Sequence, residues 1–192
     1  MLTAQRLDRL SATWRTHGVP IEDALAPGRT VESFTSDDGS LHVDLPEELR
    51  TWWAWHDGAS SGAIGPHLTA YSSTRAREWW QTMMSEAATM ATRTETDPDF
   101  WWQETWVPLF SNGAGGTHVA DCGLGPAGLT PIRLVDWHHE ERLPPATDSL
   151  GQLVEWWVEA IELGIWTWEK DRGMWLRTRS DAEIEQRYKL LI

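Results

Sequence analysis

The stretch WVPLFSNGAGGTHVADCGLGPAGLTPIRLVDW, residues 106–137, decides the fold of this chain. It divides into three short runs, WVPLF, THVADC and PIRLVDW, rich in the β-branched and aromatic residues that suit a pleated, half-buried backbone. Between them stand SNGAGG and GLGPAGLT, whose glycines reach the positive-φ conformations that tight turns need. Runs of this kind joined by glycine-rich turns predict an antiparallel meander.

Helical patterning surrounds the meander on both sides. Downstream, Leu150, Leu153, Val154, Trp157 and Ile161 share one helical face, which predicts a helix from about Ser149 to Leu163 with Gly164 as its stop. Upstream, residues 75–92 carry Ala76, Trp79, Trp80, Met83, Met84, Ala87 and Met90 at helical spacing, a stripe that reads as core because Met fills irregular gaps. The connection RTETDPDFWWQET, 93–105, reads as a polar link with an aromatic clasp. In LPEELRTWWAWHDG, 45–58, Pro46 suits a first helical position, Glu47 and Glu48 favour the positive end of the dipole, and Gly58 suits a left-handed stop. Leu49, Trp52 and Trp53 then give that helix an indole-rich face. ASSGAIGPHLTAYSST, which follows, reads as a surface loop.

Nearer the amino end, residues 3–17 form an amphipathic helix with Leu7, Leu10 and Trp14 on one stripe. Residues 27–44, with Pro27, Gly28 and SDDGS, show turn chemistry and are left unassigned. Beyond Gly164, IWTWEKDRGMWLRT reads as a hairpin turning at Asp171 to Gly173. Ser180 with Glu183 then makes a capping-box pattern ahead of Ile184, Tyr188 and Leu191. There is no internal repeat. The expected class is therefore α+β, one domain over residues 1–192 whose small mixed or antiparallel sheet of about four to six strands is flanked by helices.

Composition narrows the partners. The chain holds 15 Trp against 3 Phe and 2 Tyr, so its core rings are nearly all indoles, and each buried N–H wants an acceptor. Sixteen Lys and Arg against 29 Asp and Glu give a formal charge of −13. Such a surface disfavours nucleic acid, which needs cationic contacts to its phosphates, and attracts and steers a basic protein. Cys122 is the only cysteine, which excludes an intrachain disulfide and a cysteine-based zinc site and fits a reducing cytoplasm. MLTAQRLDRLSATWRTHG lacks the apolar stretch and cleavage site of a signal peptide, and no run approaches the roughly 18–20 apolar residues of a membrane span. The expected location is the cytoplasm.

Two segments, in order and suitably spaced, resemble the signature of the Smi/Knr-type SUKH superfamily. LPEELRTWWAWHDG resembles its helix, with a Leu-Pro-acidic-acidic opening and an Asp-Gly end. WVPLFSNGAGGTHVADCGLGP with PIRLVDWHHEE resembles its strands, with a polar Gly-Gly turn and ends near Asp, aromatic and His. The resemblance covers residues 45 to about 163, leaving TVESFTSDDGSLHVD and the tail after 164 as departures. It implies an α+β domain that binds proteins, many members being immunity proteins that block toxins, often nucleases, and others regulators of fungal cell-wall synthesis. The implied partner is a basic toxin domain, with neither cofactor nor metal. The residues expected to meet it lie in loops and turns near the signature: His56, Asp57, Asn112, Asp121, Asp136 and His138. A standing regulatory or scaffold role is the alternative, and a toxin gene directly upstream would discriminate the two.

An enzyme is the third class to weigh. Asp136, His138, His139, Glu140 and Glu141 offer zinc- or manganese-type ligands, but no H-E-x-x-H helix accompanies them, and adjacent histidines of a strand point to opposite faces. NGAGG lacks the Lys-Ser/Thr step of a phosphate loop and leads into a strand, not a helix. Cys122 and His118 lie four apart in a predicted strand, roughly 13 Å by strand rise, too far for one to activate the other. No G-x-S-x-G elbow is present. The expectation is a binding protein.

Overall fold

A computed structural model describes residues 1–60, 64–66, 68–124, 129–135 and 144–179. Among the described residues lie the α-helices α1 (Ala4–Thr16), α2 (Glu47–Trp55), α3 (Ser73–Thr94), α4 (Pro98–Trp101) and α5 (Leu150–Glu162), with a short 3-10 helix at Glu22–Ala24. The strands are β1 (Leu25–Pro27), β2 (Ser33–Thr35), β3 (His42–Asp44), β4 (His56–Ala59), β5 (Thr69–Ala70), β6 (Trp106–Ser111), β7 (Thr117–Asp121), β8 (Ile132–Val135), β9 (Trp166–Glu169) and β10 (Met174–Arg177).

The expected meander is the centre of the molecule. β6, β7 and β8 pair antiparallel in sequence order, with β5 added at the β6 edge to make a four-stranded sheet. Trp106 stands opposite Asp121, and Ser111 opposite Thr117. The ladder slips between Pro108 and Phe110, beside the residue that has no N–H to donate. Every residue of β7 is buried, because the sheet is covered on both faces. Phe110, Ala120 and Ile132 join the main core with Trp14, Trp52, Trp53, Trp157 and Ile161. Trp106 and Val119 join a second cluster with Met83, Ala87 and Trp102, and Met84 packs against both. The class is thus α+β with an antiparallel central sheet, as the turn-punctuated runs predict.

Hydroxyl caps start the long helices. Ser72 accepts from the N–H of Arg75 at 3.1 Å, and Ser149 from that of Gln152 at 3.0 Å. The first turn of α5 has a second acceptor, an anion. Glu48, 1 % exposed, accepts from the N–H groups of Gly151 at 3.1 Å, Leu150 at 3.2 Å, Thr130 at 2.8 Å and Leu2 at 2.5 Å. This carboxylate, which the sequence assigns to the start of its own helix α2, instead satisfies orphan donors of α5 from 102 residues away.

Three sequence expectations are corrected. The helix of 45–58 ends at Trp55, and His56 opens β4 directly. Gly58 does have positive φ, 84°, yet it lies inside β4, where an added Cβ would meet the Ser72 nitrogen at 2.5 Å. Its lack of a side chain serves a backbone crossing and not a helix stop. The segment after Ala59, expected as a surface loop, buries Ile64, Leu68 and Ala70 and contributes β5 to the sheet. The polar link of 93–105 contains the short helix α4, started by Pro98 and capped by Asp97.

The unassigned stretch holds the hairpin β2–β3, with Phe34 opposite Val43, and begins at Pro27, the last residue of β1, which pairs with β4. Gly164 stops α5 at φ 65°, and the tail forms the expected hairpin, with Trp175 opposite Trp168. The capping box at Ser180 and Glu183 lies outside the described residues. No helix among the described residues is long and apolar enough to cross a membrane.

Candidate protein-binding face

Two recesses border the β2–β3 hairpin and the α4–β6 junction. The first is a groove of about 520 Å³ between the hairpin turn and α3, walled by Ser36, Asp37, Asp38 and Ser40 on one side and by Gln81 and Ser85 on the other. Leu41, Met84 and Ala88 supply its apolar lining. The turn is built by its own polar residues. Asp38 Oδ1 accepts from Ser36 Oγ at 2.7 Å, Ser40 N at 3.0 Å and Ser40 Oγ at 2.7 Å. The Ser36 hydroxyl, followed by the Ser40 donors, holds the Asp38 carboxyl down at about 2, so it is ionised across the physiological range. Arg77 fastens the turn to α3 through Asp37 Oδ1 at 2.8 Å and the Thr35 carbonyl at 3.3 Å. The Arg77 hydrogen bond, followed by one from the Gln81 side chain and then by the Arg77 charge, lowers the Asp37 pKa as well.

The second recess is a cleft of about 350 Å³ lined by Asp99, Gln103, Glu104, Thr105, Asp121, Gly123 and Leu124. Glu104 belongs to both neighbourhoods: it lines the cleft, and its carboxylate accepts from the N–H of His42 at 3.2 Å, next to Leu41 of the groove. Its carbonyl takes the indole N–H of Trp80 at 2.8 Å, which anchors the junction to α3. Large apolar side chains stand open here: Leu124 at the cleft is 48 % exposed, and Phe100, beside Asp99, is 45 % exposed. Carboxylates thus surround exposed apolar side chains on this side of the molecule.

The residues expected from sequence to bind a partner are distributed differently. Asp121 lines the cleft but is wholly buried, its Oδ2 taking Trp106 Nε1 at 3.1 Å and Arg133 Nε at 2.8 Å, and its Oδ1 the Gly123 N–H at 3.2 Å. The Arg133 guanidinium lies 5.8 Å from the Trp106 ring centroid, which completes a packed trio at the end of the β6–β7 ladder. Asn112 sits at the opposite end of that ladder and folds its turn by accepting from Ala114 N and Gly116 N, both at 2.9 Å. Asp57 accepts from Ser73 N at 2.5 Å and so caps α3, while His56 Nδ1 meets the Ala26 carbonyl at 2.9 Å, where β4 pairs with β1. The polar groups of these four residues are engaged in holding the fold. Asp136 and His138 lie outside the described residues, as do His139, Glu140 and Glu141 of the metal reading. Among the described residues, no group of three or more His, Cys, Asp or Glu is arranged to hold a metal ion.

The remaining chemistry-bearing groups of the meander are interior ones. Burial, with the Asp121 carboxylate second, pushes the Cys122 thiol far up, which keeps it protonated and poorly nucleophilic. His118 is 2 % exposed, opposite Phe110 and Leu134, and neither ring nitrogen has a hydrogen-bond partner among the described residues. Burial pushes its pKa down to about 4, so the ring is neutral at pH 7.

Sequence reasoning did not single out Asp37, Asp38, Asp99 and Glu104, which line the two recesses. SDDGS reads only as a turn, and its approach to α3 is a long-range contact that no local pattern encodes. The exposed Phe of DPDFWW was the available signal. No protein-family model matches this chain, and no curated protein matches it.

Proposed function

We propose that this chain is a non-enzymatic, cytoplasmic protein-binding domain of the Smi/Knr-type SUKH kind, acting as an immunity protein that neutralises a basic toxin by covering its working surface. One observation carries the reading: the hairpin groove and the α4–β6 cleft, linked through Glu104 and His42, are both lined with carboxylates, and Phe100 and Leu124 stand open beside them. The chain's net charge of −13 adds a long-range field of the same sign. A cationic nuclease surface, built to hold phosphates, is complementary to such a face. The anchors contribute the short-range affinity, since fully desolvated apolar contacts dominate such interfaces and rim charges act mainly on the rate of encounter.

The test is affinity capture from the native cytoplasm with the wild-type chain and with a variant carrying Asp99→Asn, Phe100→Ser and Glu104→Gln. The expected result is a basic protein retained by wild type at low salt, largely lost at high salt, and absent from the variant. Inhibition of that protein's activity by the wild-type chain establishes immunity. A partner held equally by wild type and variant at every salt concentration removes the acidic face as the recognition element. Turnover of a small substrate by the purified chain ends the binding-protein reading altogether.

A further inference from the structure

We infer that the groove between the β2–β3 turn and α3 is a receptor for one arginine side chain of the protein partner, its aliphatic stem on Leu41 and Met84 and its guanidinium on Asp38. This rests on the reading of the chain as a binder of basic proteins and names the contact made by one part of that face.

The carboxylate of Asp38 is held ready for such a cation. Its Oδ1 accepts from the Ser36 hydroxyl and from both the hydroxyl and the N–H of Ser40, which fixes the group in place. Its Oδ2 accepts no hydrogen bond among the described residues. Asp37, by contrast, is already paired with Arg77 at 2.8 Å, an arrangement that stiffens the wall without offering a free anion. The floor then selects the type of cation. Leu41 and Met84 are half-buried and pack against the core, so they offer an apolar surface that is fixed and still accessible. A guanidinium is planar and weakly hydrated, and its stem covers apolar surface while its head stays with the anion. Ammonium is a compact, strongly hydrated charge with less to gain from such a floor. The groove, at about 520 Å³, has room for the side chain together with part of the backbone that carries it.

An isolated exposed ion pair contributes little, so the experiment reads location and charge dependence together. The ¹⁵N-labelled full chain is titrated with a capped hexapeptide containing one arginine flanked by leucines. The same peptide with citrulline, which keeps the shape and removes the charge, is titrated in parallel. The expected amide shifts are confined to residues 36–41 and 81–88 and occur only with arginine. Asp38→Asn keeps an oxygen for the turn donors and should weaken binding roughly fivefold, the scale of an exposed ion pair. Ser85→Arg, at an exposed helical position lining the groove, places a competing guanidinium in cis and should abolish the shifts. Asp171→Asn removes the same charge from the β9–β10 turn and should change nothing. Equal responses to arginine and citrulline overturn the assignment, as does equal weakening by Asp38→Asn and Asp171→Asn, or an absence of shifts. Shifts centred on Glu104 and Leu124 overturn the groove while leaving the acidic face as the binding surface. Failure of both this titration and the affinity capture removes the acidic face with it.

Discussion

Glu48 shows how one side chain can hold several segments together. Its carboxylate, removed from water, is acceptable only because backbone donors from three other parts of the chain converge on it. Glu48→Ala leaves those N–H groups buried and unmatched and should cost at least about 3 kcal/mol. For a domain of this size that corresponds to a Tm lower by roughly 6–12 °C, readable by circular dichroism. His118 presents the opposite case, a buried polar ring with no hydrogen-bond partner among the described residues. The unfolded chain takes up its proton near pH 6.5 and the folded chain only near pH 4, so stability is complete above the first value and falls as pH drops through that window. His118→Leu should remove up to one proton's worth of that slope, about 1.4 kcal/mol per pH unit at most. Urea denaturation at a series of pH values checks this against wild type, with the variant no less stable at pH 7.

Among the elements, β4 is the one whose sequence reading and whose role diverge most. HDG looks like a helix end, yet the four residues from His56 pair with β1, cap α3 through Asp57 and cross the chain at Ser72. Gly58→Ala combines a left-handed φ with a backbone clash at 2.5 Å, and neither can relax without moving the start of α3. The expected loss is about 2 kcal/mol or more, seen as a lower urea midpoint with an unchanged m-value. The Trp-rich face of α2 behaves as its spacing predicts: Trp52 packs edge-on against Phe110 at 5.4 Å, and Trp53 gives its N–H to the Tyr71 carbonyl at 3.3 Å. Among the described residues the Trp14 and Trp52 N–H groups have no acceptor, so there the demand of an indole-rich core for acceptors is met only in part.

At the scale of the whole molecule, a charge of −13 makes association rate the quantity most sensitive to salt. Raising ionic strength from about 0.02 M to about 0.5 M shortens the screening length severalfold. For the basic partner proposed above, the on-rate should fall by roughly tenfold or more, while the off-rate should change much less. Stopped-flow or surface-binding kinetics separates the two. An on-rate indifferent to salt would contradict steering by the acidic surface.

Sequence alone determined the meander, the helical stripes, the helix stop at Gly164 and the acidic balance, because each is written in neighbouring residues or in a simple sum. It marked His56, Asp57, Asn112 and Asp121 as partner-binding positions, and the bonds that the Ala26 carbonyl, the Ser73 N–H and the Trp106 and Arg133 side chains make to His56, Asp57 and Asp121 come from segments that no local pattern names. Tertiary structure alone decided that the loop after Ala59 supplies a strand and that Glu48 caps a helix 102 residues away. It also decided that SDDGS lies against α3 to make a groove. Those facts depend on which distant surfaces meet, and packing settles that only after every local preference has been satisfied.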